Sequence, residues 1–193
     1  MSQRKGNKFA DTMTRFFCWL IHGMPVVVLL MILFYIIFGS LSIDGMLVST
    51  IGFTLVFAAD VISDLKMGVG AVDKGQTEAA YALGYTDKMT FRKIILPQAE
   101  RHFMPSYKGN VVSLLKATAV VGYIAVQDLT KVSDIIRSRT YEAFFPLIVT
   151  AILYFVLAAV LIAVVKKIEF RTDTIRRSKE KILKNIDTDH KIS

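Results

Sequence analysis

The feature that most constrains this chain is the stretch 143–165, which runs without a single charged side chain. A helix rises about 1.5 Å per residue, and the hydrocarbon core of a bilayer is about 30 Å thick. The stretch is therefore long enough to cross a membrane as one helix. This predicts that the chain folds in lipid, where unpaired backbone groups are too costly for irregular structure.

Three further apolar stretches are predicted to be transmembrane spans: 24–40, 45–65 and 111–126. Two of them contain charge, because Asp60 and Asp64 lie within the second and Lys116 within the third. A charge at such depth costs a few kcal/mol unless it faces protein or water, so these helices are expected inside a bundle. The charges could instead lie near helix ends and reach the interface, and the sequence leaves this alternative open.

Composition and charge placement support the same class and suggest an orientation. Hydrophobic residues make up 53% of the chain and charged residues 21%, which is more apolar than an average soluble domain. The formal net charge of +8 is concentrated in 1–22, 66–108 and 166–193. Basic residues favour the cytoplasmic side, so these three segments are predicted to be cytoplasmic. The basic tail 166–193 is expected to contact solvent or lipid headgroups, with no nucleic-acid partner.

The segment 8–22 is predicted to be an interfacial helix that leads into the first span. Apolar residues recur there at the spacing of one helical face: Phe9, Met13, Phe16, Phe17 and Leu20. Pro25 follows at a natural helix boundary, since proline is tolerated where a helix begins.

Several classes of chemistry lack the residues they need. The single cysteine, Cys18, cannot form an internal disulfide, and the histidines His22, His102 and His190 are scattered along the chain. The sequence has no phosphate-binding loop of the type Gly-x-x-x-x-Gly-Lys-[Ser/Thr]. We therefore predict no catalytic residue, no metal and no cofactor, and any energy from ATP must come through a separate chain.

The mostly polar segment 73–100 interrupts the apolar pattern. A short helix is predicted over residues 77–83, with Ala79, Ala80 and Leu83 on one side and Gly84 as a left-handed cap at its end. A second helix is predicted to begin at Thr86 or Asp87 and to end before Pro97. Its apolar face is expected to consist of Phe91, Ile94 and Ile95. Periodicity alone fits either an ordinary interfacial helix pair or a compact knob that a partner binds.

The spacing of particular residues in this segment carries a resemblance. Glu78-Ala79-Ala80, three residues, Gly84, nine residues, Ile94, one residue and Leu96-Pro97 resembles the EAA loop of ABC importer permeases. The flanking sequences "VDKGQTEAAYALG", "KIILPQAERHFMP" and "VVSLLKATAVVGYIAVQDLT" are similar to the subfamily that imports histidine, glutamine, glutamate, arginine and opines. The resemblance covers roughly residues 19–171.

This resemblance implies a fold, a function and partners. The fold would be that of a type I ABC importer permease, an all-α multi-helix bundle with cytoplasmic coupling helices. The chain would be a permease subunit in the bacterial inner membrane that moves polar amino acids into the cell. Its partners would be ABC ATPase subunits, a second permease copy or homologue, and an extracytoplasmic solute-binding protein. The residues expected to couple it to the ATPase are Glu78, Ala79, Ala80, Gly84, Ile94, Leu96 and Pro97.

The sequence also departs from the family pattern. His22-Gly23-Met24-Pro25 stands where the subfamily usually has Arg-Gly-Thr-Pro, and His22 is interpreted as a tolerated boundary residue and not as a catalytic one. The usual Ala-Tyr-x-x-Glu-x-x-Arg run is matched by Ala59, Asp60, Ser63 and Lys66. Asp60, Asp64 and Lys116 are candidates for pathway residues or buried charges, and Lys116 is expected to face a carboxylate or a hydrated cavity.

Family members carry another transmembrane helix before the interfacial helix, and this sequence begins too late to include it. We therefore expect either a shortened or fragmentary permease, or a helix supplied by another polypeptide. The alternative function is a non-transporting membrane adaptor, or a fragmentary permease without a complete pathway. Because four spans cannot wall a polar path on every side, the chain is expected to act with a second permease.

Overall fold

The structure, a computed structural model, describes the backbone of residues 8–41 and 43–189 and the side chains of residues 9–41 and 43–167. Across these residues the regular elements are helices and no strand occurs, which confirms the predicted all-α class. The chain divides into two units, Met1–Thr150 and Ala151–Ser193, and each is described by itself.

The first helix, α1 (Lys8–His22), has the bounds of the predicted interfacial helix. Five of its large apolar side chains are exposed: Phe9, Met13, Phe16, Trp19 and Leu20. Phe17 was predicted on this face but packs against the core with Cys18 and Ile21. An apolar face without a protein neighbour is costly in water and is stabilised at a membrane surface. We therefore keep the interpretation that α1 lies at a membrane interface.

Helix α2 (Val26–Met31) follows after Pro25, whose extended backbone (φ −61°, ψ 141°) begins the helix where the sequence predicts. It continues as a π-helix over Ile32–Ile37. The axis turns by 102° between α1 and this continuous helix.

Helix α3 (Gly45–Gly70) is the long central element of the first unit. Gly52 allows α2 to approach it closely, because an added Cβ would lie 2.4 Å from a methyl carbon of Leu30. The core around these helices consists of Ile21, Leu29, Leu33, Val48 and Ala59, and a second cluster of Leu30, Val121 and Ile124.

The segment after α3 contains two short helices, α4 (Lys74–Ala82) and α5 (Asp87–Thr90). The chain then forms a π-helix over Phe91–Ile95 and continues directly as α6 (Leu96–Ala117). The prediction that this helix ends before Pro97 is wrong. Proline is tolerated in the first turn of α6 because the preceding π-helical turn changes the hydrogen-bond register, with the Leu96 N–H donating to the Phe91 carbonyl.

Beyond α6 the helix tightens into a 3₁₀ turn over Thr118–Ile124 and stops at Ala125, which has a left-handed backbone with φ 62°. Helix α7 (Leu129–Thr140) is capped at its N-terminus by Asp128, whose side chain accepts a hydrogen bond from the Lys131 N–H at 2.9 Å. The predicted third span, 111–126, thus covers the end of α6 and the 3₁₀ turn.

Helix α8 (Phe144–Asp189) begins in the first unit and forms most of the second. It contains the predicted span 143–165 almost entirely, and its backbone stays helical into the basic tail 166–193. The side chains from residue 168 onward lie outside the described residues, so the predicted contacts of that tail stay predictions.

Two helices of the described chain are long and apolar enough to cross a membrane: Gly45–Gly70 and Phe144–Lys167. The count rises to four if each of two bent pairs is one span. These pairs are Phe9–His22 with Val26–Ile37, and Asp87–Ile124 with Leu129–Thr140, which is bent by 52°. Four predicted spans lie at the upper end of this range, and their boundaries stay predictions.

Candidate functional site

The first helix of the predicted EAA segment, α4, is capped at both ends. The Asp73 side chain accepts a hydrogen bond from the Gly75 N–H at 2.7 Å, which satisfies a free donor of the first turn. At the other end Gly84 has φ 79°. The N–H groups of Gly84 and Tyr85 donate to the carbonyls of Tyr81 and Ala80, both at 3.0 Å. This is the Schellman arrangement, and it confirms the predicted left-handed cap at Gly84.

The end of α4 presents an exposed surface, which we call the coupling face and define by Glu78, Ala79, Leu83 and Gly84. Leu83 is 77% exposed although it is a large apolar residue. An added Cβ on Gly84 would meet nothing within 4 Å. The coupling face is therefore open to another protein, and it combines a carboxylate, two small residues and one apolar side chain.

The remaining predicted coupling residues face the chain's own interior to differing degrees. Ala80 is 1% exposed, and Ile94, Leu96 and Pro97 are half-buried. The prediction that Ala80 shares one side with Ala79 and Leu83 is wrong. Successive residues of a helix are rotated by about 100°, so Ala79 and Leu83 lie above one another while Ala80 turns inward.

Side-chain hydrogen bonds fix the shape of this loop. The Tyr81 hydroxyl donates to Asp87 Oδ1 at 2.8 Å and so joins α4 to α5. The Gln98 amide donates to Gln76 Oε1 at 3.2 Å and joins the start of α4 to the start of α6. These two contacts on opposite ends of α4 hold the coupling face in one orientation. Neither was predicted, since the two pairs are 6 and 22 positions apart and single side-chain contacts of this kind leave no periodic signal in the sequence.

Two of the three predicted charges, Asp60 and Asp64, have partners that the sequence did not reveal. His22 Nε2 lies 3.0 Å from Asp60 Oδ1, so His22 joins the end of α1 to α3 and is more than a tolerated boundary residue. The Asn110 amide donates to Asp64 Oδ2 at 2.9 Å, and Asp64 is only 5% exposed. Lys116 is exposed and forms no ion pair with a carboxylate of the described residues.

Lys116 therefore does not form the expected pair with a carboxylate among the described residues. The alternative expectation, that Lys116 faces a hydrated cavity, stays a prediction. Asp60 and Asp64 lie one helical turn apart on α3 but pair with different helices. Among the described residues no group of three or more His, Cys, Asp or Glu side chains could hold a metal ion. The contacts found around Asp60, Asp64 and the predicted EAA segment are hydrogen bonds and packing contacts between helices.

Comparison with known proteins places this geometry in a family. Residues 1–174 match the family described as "Binding-protein-dependent transport system inner membrane component". A crystal structure of an amino acid ABC transporter with histidines has 32% sequence identity and a TM-score of 0.73, covering 89% of this chain and 79% of that one.

Curated relatives agree with this match. A putative glutamine transport system permease protein of Rickettsia bellii is 34% identical over 166 residues, which is 83% of this chain and 73% of the relative. An arginine ABC transporter permease protein of Haemophilus influenzae is 28% identical, covering 90% and 82%. A histidine/lysine/arginine/ornithine permease protein of Salmonella typhimurium is 31% identical, covering 73% and 67%.

The chain therefore belongs to the family of inner-membrane components of binding-protein-dependent transport systems. It is a permease component, a transport subunit and not an enzyme, as the sequence predicts. The family match covers the predicted EAA segment, and the role of that segment in coupling stays a prediction.

Proposed function

We propose that this chain is the membrane-spanning permease subunit of an ATP-driven importer for polar amino acids. The relatives named above are described as permeases for glutamine, arginine, or histidine, lysine, arginine and ornithine. These molecules share an α-amino acid group and a side chain able to form hydrogen bonds. The chemistry common to them supports polar amino acids as the substrate class.

The observation that carries the coupling part of this proposal is the exposure of Leu83 on the capped end of α4. A large apolar side chain that is 77% exposed on a segment fixed by hydrogen bonds gains stability when a partner covers it. Ala79 and Gly84 beside it are small, so a partner's surface can approach the backbone. We infer that an ABC ATPase subunit docks here, with Glu78 at the edge of the contact.

The pathway itself requires a second permease, either a copy or a homologue. The described helices leave many large apolar side chains exposed, as expected where lipid or another membrane chain covers them. A polar route needs protein on all sides, and a twofold arrangement would supply the second wall and place two coupling faces near each other.

An extracytoplasmic solute-binding protein would deliver the amino acid. The positive-inside bias of the sequence supports a cytoplasmic location for both termini and for the EAA segment 73–100.

The experiment is reconstitution of this chain with the ATPase and solute-binding protein of the same organism in proteoliposomes. We expect uptake of at least one of radiolabelled glutamine, arginine and histidine, driven by ATP and dependent on the binding protein. Native mass measurement of the same complex should give two permease chains. ATP-independent uptake, no uptake of any of the three, or full transport by a complex with one permease chain would contradict the proposal.

Leu83→Ser tests the docking assignment, with Leu41→Ser as its control. Both leucines are exposed, but Leu41 lies in the turn between the predicted spans 24–40 and 45–65, across the membrane from the predicted cytoplasmic segments. Loss of an anchor side chain from an interface typically costs 1 kcal/mol or more, so we expect about a tenfold weaker ATPase affinity for Leu83→Ser. Leu41→Ser should leave that affinity unchanged. Equal affinity of both variants for the ATPase would show that the partner docks elsewhere.

A further inference from the structure

Helices α3 and α6 flank the segment 71–95, which contains α4 and α5 and which we call the coupling loop; α3 ends at Gly70 just before it and α6 begins at Leu96 just after it. They approach tightly at Gly68, where an added Cβ would lie 2.7 Å from the Ala99 carbonyl oxygen and 2.9 Å from a ring carbon of Phe103. Ala99 has no exposed surface. The two backbones thus touch near the loop, with no room for a larger side chain.

A second contact joins the same helices farther from the loop. Asp64 is 5% exposed, and the Asn110 amide donates to its Oδ2 at 2.9 Å. A buried carboxylate is costly unless it is hydrogen-bonded, so this pair favours one lengthwise position of α3 against α6. Apolar contacts such as the Phe57 and Tyr107 rings, 5.7 Å apart, would tolerate sliding far better.

The coupling loop is fastened to this helix pair on both sides. It follows α3 through the chain, and the hydrogen bond between Gln76 and Gln98 ties the start of α4 to the first turn of α6. Gln98 also donates to the Ile94 carbonyl at 3.2 Å, which fixes its own side chain. A force applied to α4 therefore reaches α6 directly as well as through α3.

We propose that Gly68, Ala99, Phe103 and the Asp64–Asn110 pair form a seam that makes α3, α4 and α6 move as one body. Asp64 and Asn110 are positioning residues in this seam, because they join the two helices that flank the coupling face. The seam rests on the proposed docking of the ATPase at that face. Without the polar pair α3 slides along α6, and a movement of α4 is no longer shared by the two helices.

Two double variants separate this role from simple stability. Asp64→Leu with Asn110→Leu removes both polar groups, which leaves no buried group without a partner and is often nearly neutral for folding. Asp64→Asn with Asn110→Asp restores the hydrogen bond with the groups exchanged. Both are reconstituted in the complete transporter, and amino-acid uptake per ATP hydrolysed is measured with radiolabelled glutamine, arginine and histidine.

The double leucine variant should assemble with the ATPase normally, yet its uptake per ATP should fall about fivefold, the size typical for loss of coupling within a contact network. The exchanged variant should return to within about twofold of the unmodified chain, since it keeps one hydrogen bond. Unchanged coupling in the double leucine variant, or no recovery in the exchanged variant, would overturn the seam. If the unmodified chain itself fails to bind or stimulate its ATPase, the proposed function fails instead.

A distance measurement covers the case in which the double leucine variant does not fold. Spin labels are placed at the exposed positions Met67 on α3 and His102 on α6, after Cys18 is replaced by serine. The seam requires the same narrow distance distribution in the nucleotide-free and vanadate-trapped transporter. A distance that changes between these two states would show that α3 and α6 move separately and would overturn the proposal.

Discussion

Ala79 and Ala80 are neighbours within one motif, yet one lies on the surface of the coupling loop and the other has 1% of its surface exposed. The same contrast holds farther along, where Gly84 is open while Ile94, Leu96 and Pro97 turn partly inward. The motif therefore combines two requirements: residues that a partner can touch, and residues that hold the first group in place. A variant that loses transport could have failed in either requirement. Measuring its folding stability together with its affinity for the ATPase distinguishes the two.

The largest effect is expected from Ala80→Leu. Three added carbon atoms have no room at a buried site, and overpacking of this kind typically costs about 1–3 kcal/mol. The thermal unfolding midpoint in lipid nanodiscs should fall, and ATPase docking should fall with it because the loop loses its shape.

Ala79→Leu is the matched control for that variant, with the same change one residue away. Its exposed position predicts a change in stability within about 0.5 kcal/mol. ATPase affinity should still fall, because the larger side chain lies in the coupling face. If both variants unfold at the same temperature, the inward and outward assignment of the two alanines is wrong.

Gly84→Val is expected to have the next largest effect. Space is available for the side chain, but the backbone at φ 79° is unfavourable for a β-branched residue, by about 1–2 kcal/mol. The cap should loosen, so that ATPase stimulation falls while membrane insertion stays normal.

The comparison variant is Gly70→Val, since Gly70 is also exposed with open space around it and does not have a positive φ. It should stimulate the ATPase nearly as well as the unmodified chain. Full stimulation by Gly84→Val would place docking elsewhere on the loop.

The smallest effect is expected from His22→Ala, which lies outside the loop. The His22 and Asp60 side chains are 42% and 28% exposed, and a polar contact between partly exposed side chains contributes no more than about 1 kcal/mol. Unfolding should barely change, and ATPase docking should not change at all, as measured by affinity in nanodiscs. A docking defect here would mean that the attachment of α1 to α3 shapes the coupling face, and the contrast would extend beyond the loop.

Local signals predicted the parts of this site that are local. The short helix α4 and its cap follow from a run of good helix formers closed by Gly84, whose backbone freedom suits a left-handed end. Which side of α4 faces inward could not be predicted, because Ala79 and Ala80 have identical side chains and the surface that covers Ala80 comes from the tertiary fold.

Contacts between distant residues were also beyond the sequence. His22 and Asp60 are separated by 38 positions, and Asp64 and Asn110 by 46. Composition marked the aspartates as unusual within apolar helices but gave no means of choosing their partners. Lys116 was the expected counter-charge by sign alone, and an amide occupies that role for Asp64 because the packing of α3 on α6 brings Asn110 near.

The π-helical turn at Phe91–Ile95 determines which one-residue deletions related sequences can tolerate. Removing one residue from an α-helix rotates everything after it by about 100°. A π-helical turn holds one residue more than an α-helical turn, so a deletion inside this segment can be absorbed locally and leave both flanks in place. The ring of Pro97 would then meet a carbonyl of an ordinary α-helical turn, at a cost of about 3 kcal/mol. Lineages that shorten this segment by one residue should therefore also have replaced the proline.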